Sequence, residues 1–129
     1  MSISGGVGNA FLHGKKVECD AIQIFTKSSR QWAGKPYSKE EIEQFHANRE
    51  DTGITKVIAH DSYLLNLGSP DAALRLRSIE AFIDELERCE VLGVTHLVAH
   101  PGAHVGAGEV EGIKTIARSL DDGHKACPG

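Results

Sequence analysis

Three times along this chain a short run rich in β-branched residues is followed by a polar loop and then by apolar residues at helical spacing. No other feature constrains the fold as much. Strands that alternate with helices are joined by crossovers and lie parallel in one sheet. The runs are residues 21–26, 56–60 and 94–100. The loop after the first, Lys27 to Tyr37, ends at Ser38, with Glu41 three residues on. That is a capping box, and with Gly53 as the stop it predicts a helix over residues 38–50. The loop after the second run, Asp61 to Gly68, leads to Ser69-Pro70, read as an N-cap and first helical residue. Ala72, Leu76, Ile79, Phe82, Ile83, Leu86 and Cys89 then form one stripe, so a helix is expected over residues 70–92, ended by Gly93. A third helix, over residues 109–125, follows a glycine-rich loop and carries Val110, Ile113, Ile116, Ala117 and Leu120.

The fold class is therefore α/β. Three parallel strands make a small sheet with two open edges, and parallel strands need cover on both faces. The expected architecture is a partial (β/α)8 barrel, whose complete form takes about 250 residues. The 129 residues begin in a glycine-containing loop and stop at Pro128-Gly129, where the lead-in to another strand is expected. Residues 1–129 are thus expected to be the N-terminal part of a single barrel domain. No run reaches the roughly 18 apolar residues of a membrane span, and the start lacks the basic and apolar regions of a secretory signal. Three widely spaced cysteines with no C-x-x-C pattern indicate reduced thiols and a cytoplasmic protein. The formal net charge of −4 argues against a general basic coat for nucleic acid, although residues 1–37 hold five Lys/Arg against two acids.

The second and third strands end alike, in Ile58-Ala59-His60 and Val98-Ala99-His100. Both histidines fall at the carboxyl ends of parallel strands, the face where such folds build their sites. Neighbouring strands lie about 4.8 Å apart, so the two imidazoles are expected on one edge of the sheet, close enough to share an ion. Imidazole suits zinc, iron, nickel or copper better than magnesium or calcium. Asp61 is a candidate for orienting an imidazole from behind, or equally for opening a turn. His104 is a weaker candidate beside it. His96 reads as a hydrogen-bonded interior residue. The loop Lys27-Ser28-Ser29-Arg30-Gln31-Trp32 mixes cations, amides and the only Trp, a combination that suits a nucleic-acid backbone. Its alternative is a solvated loop with Trp32 packed on the domain. Tyr63 and Leu64, on the loop after His60, have the character of wedges that enter a base stack.

The stretches Phe25-Thr26-Lys27 to Arg30-Gln31-Trp32, His60-Asp61-Ser62-Tyr63-Leu64 to Asn66-Leu67-Gly68, and His100-Pro101-Gly102-Ala103-His104-Val105-Gly106 resemble the endonuclease IV family of abasic-site endonucleases. The segment from Phe82 to Gly93 supports the match. The resemblance implies a xylose-isomerase-like (β/α)8 barrel with three zinc ions at its carboxyl face. It implies that His60 and His100 are zinc ligands, two of the set, and that Arg30, Tyr63 and Leu64 belong to loops that penetrate double-stranded DNA at an abasic site. The implied reaction is hydrolysis of the phosphodiester 5′ to that site, leaving a 3′ hydroxyl. The implied complete protein is a cytoplasmic monomer without membrane contact. The family's remaining ligands lie on later strands, so the chain reads as an incomplete fragment of weak or no activity, and no catalytic residue is assigned in it. Ala103 stands where the family usually has Ser. Two further readings share part of the pattern: another metal-dependent barrel enzyme of the sugar isomerase or epimerase type, and a non-catalytic fragment.

Overall fold

The computed structural model describes residues 1–129. In chain order it contains α1 (Asn9–Lys16), β1 (Ala21–Phe25), α2 (Lys39–Thr52), β2 (Lys56–His60), α3 (Ala72–Leu92), β3 (Leu97–Val98) and α4 (Glu109–Ala126). The strands form one parallel sheet in the order β1-β2-β3. Three parallel strands with α2, α3 and α4 are the α/β architecture the sequence predicts for part of a (β/α)8 barrel; α1 is additional.

The capping box of α2 is complete. The Glu41 backbone N–H donates to Ser38 Oγ at 3.1 Å, and the Ser38 N–H donates to the Glu41 carboxylate at 2.8 Å. Gly53 closes the helix in the left-handed region at φ 72°, which a residue without Cβ adopts without strain. The start of α3 differs from the sequence reading. Its N-cap is Asp71, whose carboxylate accepts from the Leu74 N–H at 2.8 Å. Ser69 is used one turn earlier, its Oγ accepting from the Asp71 N–H at 3.1 Å. Asp caps as well as Ser, and the Ser69 hydroxyl is turned toward the Asp71 N–H in a local turn of the kind that competes with the helix.

Two further expectations are corrected. The third strand is two residues long, not seven. Its ladder consists of the Ala59 and Asp61 N–H groups donating to the carbonyls of His96 and Val98, both at 2.9 Å, and nothing pairs with its other edge. Helix α1 lies in the stretch read as an opening loop. It has no side-chain cap and only eight residues, so it carries little local signal. It forms because Ala10 and Phe11 are buried against the sheet and α2, with Phe11 edge-on to Phe45 at 4.8 Å between ring centres.

The main core joins α1, α2, β1, β2 and the end of α3 through Phe11, Ile22, Ile24, Phe45, Val57, Ala59 and Leu92. Alternation places Ile22, Ile24, Val57 and Ala59 on this covered face. The opposite face carries Ile58 and Val98, 37% and 42% exposed. The helices thus cover one side only, and the side that forms the interior of a barrel is open. Cys89 is buried, and that burial pushes its thiol up to about 12. At pH 8 it is therefore protonated as well as shielded. A thiol titration with an aromatic disulfide reagent is expected to leave Cys89 unmodified in the native chain and to reach it only after denaturant is added.

Candidate functional site

The carboxyl ends of the strands gather the site. His60 is the last residue of β2 and pairs in register with Val98, so His100 lies two residues beyond its level. The two imidazole rings nevertheless approach to 5.8 Å between centres. His60 is held by its own turn, with Nδ1 2.9 Å from the Asp61 carbonyl oxygen. A carbonyl only accepts, so Nδ1 is the donor here, and in the neutral imidazole that leaves the lone pair on Nε2. Asp61 follows His60 directly and is fully buried. Its Oδ1 accepts from the His100 N–H at 3.3 Å and lies 3.3 Å from His60 Nδ1. Its Oδ2 has no hydrogen-bond partner. Burial pushes this carboxyl up to about 6, against the opposing pull of the His100 amide and the His60 imidazole. Asp61 therefore links the two histidines rather than serving only as a turn residue.

An aromatic cluster adjoins them. Tyr63 stands 5.7 Å from the His60 ring and 5.3 Å from Phe25, and it is 64% exposed. An open recess of about 410 Å³ runs from Tyr63 past Asn66 to His100 and Gly102. Leu64 is half-buried beside Tyr63, whereas Leu65 belongs to the core. Arg30 is exposed on the neighbouring loop. Trp32 packs on the domain, with the Arg77 guanidinium 4.3 Å over its ring. His104 organises its own loop: Nδ1 accepts from the N–H groups of Gly106 and Gly108, both at 3.2 Å. His96 is hydrogen-bonded to Thr95 at 2.8 Å and is exposed on the open face.

A buried charge network under these loops has no counterpart in the sequence reading. Lys27 Nζ lies 2.7 Å from Asp84 and 3.2 Å from Glu85, and both Lys27 and Glu85 are buried. Arg88 Nε donates to the same Asp84 oxygen at 2.9 Å. The signal that could have found it is a cluster of charges, Asp84, Glu85 and Arg88, inside the stripe that Phe82, Cys89 and Leu92 mark as buried.

Two imidazoles on one zinc, each at about 2.0–2.1 Å, have ring centres roughly 5–6 Å apart. The spacing of His60 and His100, the free Nε2 of His60 and the unpartnered Asp61 oxygen behind them fit half of such a donor set. No group of three His, Cys, Asp or Glu side chains is assembled to hold a metal.

A family model described as the xylose isomerase-like TIM barrel matches residues 12–125. The chain is 53% identical over 120 residues to a probable endonuclease 4 of Chloroflexus aggregans, covering 93% of this chain and 42% of that relative. Against a probable endonuclease 4 of Campylobacter hominis the identity is 46%, with 94% and 44% covered. The crystal structure of endonuclease IV from Thermus thermophilus superposes with a TM-score of 0.87 at 31% identity, covering the whole of this chain and 46% of that one. The chain thus spans less than half the length of these relatives.

Proposed function

The chain belongs to the endonuclease IV family of xylose isomerase-like TIM barrels, and on that premise we propose that it supplies part of the site of a zinc-dependent DNA-repair nuclease. In this reading residues 1–129 are the N-terminal part of one barrel domain, cytoplasmic and monomeric when complete. The substrate is double-stranded DNA with an abasic site, cut on the 5′ side to leave a 3′ hydroxyl. The observation that carries the reading is the approach of His60 and His100 to 5.8 Å at the strand ends, over the shared carboxylate of Asp61 and beside the exposed ring of Tyr63.

His60 and His100 would hold the metal through imidazole nitrogens, and Asp61 would fix their orientation from behind. Zinc, when bound, supplies a hydroxide near neutral pH and neutralises charge on the phosphate. Arg30 offers a cation to the DNA backbone, and Tyr63 with Leu64 offers an apolar wedge to the stack. The exposed cations of the N-terminal segment and the metals, when bound, would together draw a DNA substrate to a chain of net charge −4.

The test is a chimera in which these residues replace the matching segment of the Thermus thermophilus enzyme. Tyr63→Ala and Arg30→Ala are expected to weaken binding of an abasic-site duplex about 10-fold each while leaving zinc content unchanged, since base stacking is worth about 1–3 kcal/mol per base. Loss of zinc in Tyr63→Ala with DNA affinity intact would reverse the assignment.

A further inference from the structure

The network beneath the loops joins two segments that the sequence separates. Glu85 Oε1 accepts from the Ser62 N–H at 3.2 Å and lies 3.2 Å from Lys27 Nζ, while Oε2 accepts from Thr26 Oγ1. Thr26 and Lys27 open the loop that carries Arg30; Ser62 opens the loop that carries Tyr63. Next to Glu85, Asp84 binds Lys27 and Arg88, and Arg88 donates to the carbonyls of Gly34 at 2.7 Å and Lys35 at 3.0 Å. The far end of the first loop is therefore tied to the same turn of α3. The loops also grip each other: Ser62 Oγ and the Tyr63 N–H both donate to the Ser29 carbonyl, at 3.0 and 3.2 Å.

We propose that Glu85 is a positioning residue for DNA recognition: through Thr26, Lys27 and Ser62 it sets the spacing of the Arg30 loop and the Tyr63 loop. The proposal rests on the DNA reading above but assigns a role that reading does not contain. Glu85 is 1% exposed and reaches no solvent-facing surface, so it cannot touch DNA. Desolvation offsets most of the attraction in a buried ion pair, which makes such pairs poor sources of stability. Their geometry is another matter. A carboxylate that must satisfy a hydroxyl, a backbone N–H and an ammonium at once admits few arrangements of the chain segments bearing them. Apolar packing alone would leave the two loop bases free to slide.

The experiment uses the 129-residue chain. Glu85→Gln keeps the shape of the side chain and removes one of the two carboxylate charges that Lys27 faces, leaving Asp84 in place. Amide hydrogen exchange is expected to quicken at least 10-fold at Gln31 and Tyr63, with β1 and β2 amides unchanged. Affinity for an abasic-site duplex should fall as it does in Tyr63→Ala, and the double variant should be no worse than Tyr63→Ala, because both act through one contact. If Glu85→Gln fails to fold, the paired change Lys27→Met with Glu85→Leu removes both charges; it should fold and still show the quickened loop exchange. Wild-type exchange at Gln31 and Tyr63 in a folded variant of either kind overturns the proposal, and so does full additivity with Tyr63→Ala. A wild-type chain that binds abasic and undamaged duplexes alike overturns the DNA recognition role, while exchange at the two loops still decides whether Glu85 sets their spacing.

Discussion

Incision of an abasic-site duplex by the purified 129-residue chain is expected to stay at background in added zinc. It should appear in a barrel completed by the remaining strands of a relative, and there His60→Ala or His100→Ala should remove it. A catalytic zinc takes three protein ligands and a water, whereas this chain gathers two imidazoles and no third donor. Replacing a residue that merely orients a ligand costs about 10–100-fold in affinity or activity. Removing a ligand itself should exceed that, so a loss greater than about 100-fold is expected for either histidine. Asp61→Asn should fall within the smaller range, because it alters the contacts to the His60 ring and the His100 N–H and leaves both imidazoles in place. Incision by the 129-residue chain that needs zinc and vanishes in His100→Ala would show that two histidines suffice.

Phe45→Ala is expected to cost about 3–5 kcal/mol, the range for truncating a buried aromatic. Phe45 is fully buried at the centre of the main core and packs edge-on against Phe11. Domains of ordinary stability have about 5–15 kcal/mol in hand. This one leaves a sheet face and the edge of β3 uncovered, so it belongs at the low end, and the substitution removes most of what it has. With a urea slope of about 2 kcal/mol per molar, the unfolding midpoint should drop by roughly 2 M or vanish altogether. A drop below about 0.5 M would mean that Phe11 and its neighbours collapse into the space, and that this core is looser than its geometry implies.

The strands β1 and β2 were legible because each is a short run rich in β-branched residues bounded by charged or polar ones. The rhyme of His60 with His100 was legible because both close the same apolar-Ala-His pattern in the sequence, although His100 lies two residues past its strand. The third strand is shorter than its composition suggests: only Leu97 and Val98 find partners on β2, which itself ends at His60. Helix α1 was missed because its stability comes from Phe11 against Phe45, residues 34 positions apart, and not from a cap. On α3 the apolar stripe holds through Ile79, Phe82, Leu86 and Cys89 but fails at its start, and it omits buried polar residues. Leu76 is 58% exposed, while Ser78, Glu85 and Arg88 are buried. A helical wheel assigns charged side chains to water. Glu85 is inside because Lys27, 58 residues earlier, comes to meet it, and no local pattern announces a partner at that distance.

Helix α1 rests on the sheet through Gly14, where an added Cβ would stand 2.8 Å from Ile22 Cγ2 and 3.1 Å from Ile54 Cδ1. The consequence is epistasis. Gly14→Ala alone forces a branched side chain to yield in a packed core, yet the same change becomes tolerable once Ile22 and Ile54 have been trimmed, and Ala then returns the helix propensity that Gly forfeits. Which residue this helix accepts at position 14 is therefore decided on β1 and in the turn before β2. A lineage could cross from glycine to alanine there only by altering the sheet first.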